Sequence, residues 1–146
     1  MKSTWVVVAN RARARFFSLS SPKGPLTEVQ DLVHPEGRLH DQDINADRPG
    51  RSFDTSGKGR HAMGKRHSPS EQEAIRFAHT VGDQLAKQHY EGAFERLVLT
   101  APPHFLGLLR DALPAAVTES IVMEIDKDLA AVERTDEIRE LLPERL

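Results

Sequence analysis

The stretch that most constrains this fold runs from Ser68 to Gly92, SPSEQEAIRFAHTVGDQLAKQHYEG. Ser68-Pro69-Ser70-Glu71 reads as a capping box with proline at the first helical position. Ile75, Ala78, Val81 and Leu85, with Ala74 and Phe77 beside them, form one apolar stripe. Asp83 and Lys87 make a favourable i,i+4 pair, and Gly92 is placed to end the helix. A long helix with one apolar face must bury that face against another layer, which the rest of the chain has to supply.

The remaining apolar runs supply it. TWVVVAN, Thr4 to Asn10, is a continuous Val-rich run and reads as a strand buried on both faces. Asn10-Arg11 offers a turn into a second strand, ARARFFSL, from Ala12 to Leu19, which makes an antiparallel hairpin. Arg13 and Arg15 fall on one face of that strand, a face read as exposed in preference to ligand-binding. SSPKGP is a turn cluster, and Leu26 to His34 reads as a third strand with room for a bulge. RLVLTA, Arg96 to Ala101, is a further buried strand. Pro102-Pro103 breaks it and starts a helix from His104 to Leu113 that Pro114 stops. A last strand is expected over Ser120 to Ile125 and a closing amphipathic helix over Leu129 to Leu142. The order β-β-β-loop-α-β-α-β-α predicts an α/β fold: a mixed five-stranded sheet, an antiparallel three-strand meander plus two βα units, with flanking helices. Residues 1–146 are expected to form a single domain, since 146 residues can bury a core of their own.

Between the third strand and the long helix lies a polar stretch, about 40–67, with no apolar period. From Asp47 to His67 it carries Arg48, Arg51, Lys58, Arg60, Lys65 and Arg66 against Asp47 and Asp54, a local charge of +4. Gly50, Gly57, Gly59 and Gly64 give it backbone freedom. A loop this long inside a compact domain points to function or to disorder. Cations on a glycine-rich backbone suit phosphate contacts, so these six residues, with Arg11 and Arg13 as neighbours, are the candidate nucleic-acid-binding set. The loop is not a nucleotide-triphosphatase phosphate loop, because Gly64-Lys65 is followed by Arg66 and the G-x-x-x-x-G-K-[ST] string is absent. Glu119 to Leu146 has the opposite balance, nine acids against four bases. The chain as a whole has a net charge of -2, so this asymmetry, not the total, is what would select an anionic partner.

Other chemistries find little support. There is no cysteine, which excludes disulfides and thiolate metal sites. The seven histidines lack the spacing of a helical zinc site, so no metal and no cofactor is expected. Asp41, Asp43 and Asp47 beside His40 read as a solvated loop edge. Ser18, Ser20 and Ser21 have no nucleophile–base signature around them, which leans against an enzyme. Trp5 to Ala9 is too short for a signal peptide's apolar region or a membrane span, so a cytoplasmic location is expected. Oligomeric state is not legible.

The hairpin WVVVANRARARFF, the segments VHPEGR and DRPGR, the long helix, LVLTAPPHFLGLLR and Lys127-Asp128-Leu129 together resemble the bacterial host attachment protein family. The resemblance spans nearly the whole chain. That family is similar to the middle domain of archaeal and eukaryotic class-1 peptide-chain release factors and Pelota. Here the likeness lies in strand order, a glycine-rich basic loop before the long helix, and Ala74-Ile75-Arg76-Phe77 inside it. The fold implied is ribonuclease-H-like. Release factors carry Gly-Gly-Gln in that loop, whereas this chain has Gly57-Lys58-Gly59-Arg60-His61-Ala62-Met63-Gly64, so peptide-release activity does not follow. The resemblance implies ribosomal RNA or tRNA as partner. The family name implies a second role, in bacterial attachment to host cells or surfaces, through a protein partner and indirectly.

Overall fold

In the computed structural model the described residues are 3–34 and 68–146. The strands are β1 (Thr4–Asn10), β2 (Arg13–Leu19), β3 (Leu26–Val33), β4 (Arg96–Ala101) and β5 (Ile121–Asp126). The helices are α1 (Pro69–Tyr90), α2 (Pro103–Ala112), α3 (Ala115–Ser120) and α4 (Thr135–Leu141). The five strands form one sheet in the order β3-β2-β1-β4-β5. β1, β2 and β3 pair antiparallel, while β4 runs parallel to β1 and β5 parallel to β4. This is the mixed α/β sheet expected from the sequence.

Period-2 alternation divides the sheet's side chains between two cores. Trp5, Val7, Ala9, Ala14, Phe16, Leu97, Leu99 and Ala101 line one face, covered by Ala74, Phe77, Ala78, Val81 and Leu85 of α1 and by Phe105, Leu106 and Leu109 of α2. Val6, Val8, Phe17, Leu19 and Val98 line the other, covered by Leu129, Ala130, Ile138, Leu142 and Leu146. β1 is therefore buried on both sides, as its unbroken valine run requires.

α1 is capped at both ends by its own sequence. Ser68 Oγ accepts from the Glu71 amide at 3.1 Å. At the other end Gly92 takes φ +84°, and its N–H donates to the His89 carbonyl while that of Ala93 donates to Gln88. This paired bonding is a Schellman motif, and the positive φ favours glycine there. The apolar stripe differs from expectation at one position, since Ile75 is only half-buried while Gly82 is fully packed. Gly82 is where α2 comes close: a Cβ there would meet the Ala112 carbonyl oxygen at 3.0 Å.

Three other expectations need correction. The closing helix spans only Thr135–Leu141, and Leu129 and Ala130 lie in a turn whose buried side chains plug the sheet. A short helix, α3, occupies the link after Pro114. Arg15 is buried, not exposed. The expected bulge is present: Phe16 pairs with Gln30 and Phe17 with Glu28, which leaves Val29 of β3 as the extra residue.

Candidate functional site

The parallel pairing of β1 with β4 and of β4 with β5 brings three strand ends to one edge of the sheet. In open α/β sheets this edge, beyond the carboxyl ends of parallel strands, is where crevices form. A cleft of about 230 Å³ lies there, lined by Asn10, Arg11, Ala12, Ala74, Pro102, His104, Phe105 and Asp128. Its floor is apolar and its rim polar.

Each rim residue is held by a local cause. Asn10 ends β1 and folds the chain back: its Oδ1 accepts from the amides of Ala12 at 2.9 Å and Arg13 at 3.0 Å. Its Nδ2 donates to Asp128 Oδ1 at 3.2 Å, tying the hairpin turn to the segment after β5. Arg11 sits at the apex of that turn, and its Nη2 donates to the Ser70 carbonyl oxygen at 2.8 Å. α1 and α2 both begin here. His104, in the first turn of α2, sets Nε2 at 2.8 and 2.9 Å from the two carboxylate oxygens of Glu71, in the first turn of α1. Two positive helix ends thus converge on the edge, and the carboxylate of Glu71 lies between them.

The ends of the described chain flank this edge. The His34 amide donates to the Ala12 carbonyl oxygen at 2.8 Å, and Ser70 is bonded to Arg11. The chain thus leaves β3 and returns into α1 beside the same hairpin turn. His34 stacks on Phe77 with ring centroids 4.9 Å apart, and its Nε2 is 3.3 Å from Glu73 Oε1. Glu73 also pairs with Arg76. Burial pushes the Glu73 carboxyl up, but the hydrogen bond and charge of Arg76 and the nearby His34 outweigh it and hold it below its ordinary value.

Of the candidate nucleic-acid-binding residues, Arg48, Arg51, Lys58, Arg60, Lys65 and Arg66 lie outside the described residues, as do His40, His61, His67, Asp41, Asp43 and Asp47. Arg11 lines the cleft. Arg13 does not: its Nε and Nη2 donate to the Asp31 carboxylate at 3.1 and 2.9 Å, and Glu133 stands 4.0 Å away. The hydrogen bond to Asp31 keeps the Arg13 guanidinium more firmly protonated than usual, against the opposing effect of burial. Asn10, Glu71, His104 and Asp128 were not singled out as site residues from sequence. Asn10 had a local reading as a turn former, Glu71 as a capping residue and His104 as a scattered histidine, while Asp128 stood only within the segment Lys127-Asp128-Leu129, and it is the packed fold that joins them. Among the described residues no group of three or more His, Cys, Asp or Glu is placed to hold a metal ion. Among them, too, no helix is long and apolar enough to cross a membrane.

A family model described as "protein required for attachment to host cells" matches residues 5–142. The chain belongs to this family. The host attachment match covers every element that lines the cleft and, Leu146 apart, both cores. No curated protein matches the chain. Among solved structures, the archaeal translation termination factor aRF1 is similar at 12% identity and a TM-score of 0.49, over 97% of this chain and 35% of that one. An archaeal protein is similar at 12% identity and 0.45, over 92% of this chain and 35% of its own. The Ppx/GppA phosphatase of Aquifex aeolicus is similar at 12% identity and 0.44, over 86% and 35%. This host attachment chain spans about a third of the length of each. At such scores nothing about activity, substrate or partner passes to it.

Proposed function

We propose that this protein, acting as one unit over residues 1–146, is a cytoplasmic RNA- or ribosome-binding member of the host attachment family that binds without turnover. The segment with local charge +4 contacts phosphates through Arg48, Arg51, Lys58, Arg60, Lys65 and Arg66, with Arg11 and Arg13 at its base. The observation that carries this reading is the place where that segment is attached. Its two flanking ends, His34 and Ser68, sit beside Arg11 and the amino ends of α1 and α2. A cationic segment rooted at two positive helix ends suits a polyanion.

The test is co-sedimentation with ribosomes from a bacterial lysate, for the wild type and for a variant with all six loop cations changed to Ser. If the six cations each neutralise a phosphate, affinity falls by roughly a thousandfold between about 50 and 200 mM salt, and association is lost in the variant. Association that is flat with salt, or unchanged in the variant, overturns the reading. The family description supports a second reading, an interaction protein that acts indirectly in attachment to host cells or surfaces. On that reading, attachment survives neutralisation of the six cations and fails when the acidic surface around α4 is altered.

A further inference from the structure

The opposite edge of the sheet, where β1 and β4 begin and β2 ends, carries a separate cleft of about 260 Å³. Leu19, Pro22 and Leu146 are its apolar lining, and Thr4, Ser20, Ser21 and Arg96 its polar lining. Strand register sets Thr4 beside Arg96 on one side and opposite Leu19 on the other. The turn after β2 is held in place, since the Gly24 amide donates to the Ser21 carbonyl oxygen at 3.0 Å and the Leu146 amide to that of Pro22 at 2.9 Å.

Arg96 stands apart from the other arginines of the fold. Arg13, Arg15, Arg76, Arg110 and Arg134 each meet a carboxylate, and Arg139 donates to four carbonyl oxygens. Arg96 donates through Nε alone, to Thr4 Oγ1 at 3.3 Å. Among the described residues no carboxylate pairs with it, that of Leu146 included, and both its Nη groups are left with donors to give. Thr4 is only 6% exposed, yet its hydroxyl accepts from Arg96 and finds no acceptor for its own hydrogen among the described residues. Buried hydroxyls are normally satisfied, so an unmet one facing a cleft points to a ligand.

We infer that this corner binds a small phosphoryl-bearing anion, either free phosphate or a phosphate monoester whose remaining atoms lie against Leu19, Pro22 and Leu146. The polar side chains lining the cleft are a guanidinium and three hydroxyls, with no acidic side chain among them. A guanidinium fork matches two oxygens of an anion, and charge-assisted hydrogen bonds of this kind are the strong ones. A planar carboxylate would be filled by that fork alone. Donors that come from β1, from β4 and from the turn after β2 suit a tetrahedral group with a third oxygen to satisfy. The site lies across the sheet from Arg11 and does not rest on the RNA reading.

The experiment follows the amide signals of Thr4, Ser20, Ser21 and Arg96 by NMR as inorganic phosphate, glycerol phosphate or acetate is added at constant ionic strength. Saturable shifts are expected with both phosphates, at least about tenfold tighter than with acetate. Tighter binding of glycerol phosphate marks a monoester as the occupant, and tighter binding of inorganic phosphate marks the free ion. Arg96→Gln is expected to weaken phosphate binding at least about tenfold. Ser20→Ala/Ser21→Ala, in an exposed turn, is expected to weaken it about threefold and carries the test should Arg96→Gln unfold. The variant with Arg48, Arg51, Lys58, Arg60, Lys65 and Arg66 changed to Ser should bind phosphate here as the wild type does. The inference is overturned if these amides show no saturable shift or acetate binds as tightly as phosphate. It is overturned equally if a folded Arg96→Gln protein binds phosphate unchanged.

Discussion

Arg15 and Glu28 form a two-point hydrogen-bonded pair, Nε to Oε2 at 2.9 Å and Nη2 to Oε1 at 3.0 Å, with Arg15 only 3% exposed. The same guanidinium donates to the carbonyl oxygens of Val132 at 2.6 Å and Glu133 at 3.3 Å, and lies over the Phe17 ring. It therefore pins the segment before α4 to the sheet. Arg15→Met keeps apolar bulk but leaves these acceptors without their donor. Urea denaturation is expected to show a loss of about 2–4 kcal/mol. Glu28→Gln should cost less, because its carboxylate is 31% exposed and water can replace part of what is lost.

That pin also explains the clearest gap between sequence and structure. LAAVERTDEIRELL has good helix composition throughout, yet only Thr135–Leu141 is helical. The carbonyls of Val132 and Glu133, which a longer helix would use internally, accept from Arg15 instead. A contact across 117 residues cannot be seen in a local pattern. The alternation of Arg11, Arg13 and Arg15 gave the strand face but not its depth, for the same reason. By contrast, β1 and α1 were legible because their valine run and capping residues act within a few positions. For the candidate site, Arg11 could be picked out as a cation at a turn. Asn10, Glu71, His104 and Asp128 could not, since strand pairing and the packing of α1 against α2 are what bring them together.

Asn10 offers a test of the cleft's frame. Its Oδ1 holds the amides of Ala12 and Arg13, and its Nδ2 donates to Asp128. Asn10→Ala should cost about 1–2 kcal/mol, the penalty of leaving amide and carboxylate partners unmet. Asn10→Asp keeps the acceptor for the turn but sets a second carboxylate where a donor stood, 3.2 Å from Asp128. That variant is expected to be less stable than wild type at neutral pH and to recover part of the difference on acidification, read by thermal melts across pH.

Gly82 tests the α1–α2 contact that sets one wall of the cleft. An added Cβ meets the Ala112 backbone oxygen at 3.0 Å, and a backbone atom cannot swing aside as a side chain can. Gly82→Val puts two further methyl groups into that contact. A loss of about 2–3 kcal/mol is expected by chemical denaturation, despite valine's better helix propensity than glycine. If the helices separate to accommodate it, protection of the Leu109–Leu113 amides should fall as well.

Glu73 contributes to how the fold responds to acid. Burial favours its neutral form, but Arg76 and His34 hold the carboxyl below its ordinary value of 4.5. The folded state thus prefers the ionised form. Its contribution is fully present above that ordinary value and is lost as pH falls below it, through the lower folded value. Glu73→Gln should therefore destabilise the protein more at about pH 6 than at about pH 3, and the two stability curves should converge as pH falls.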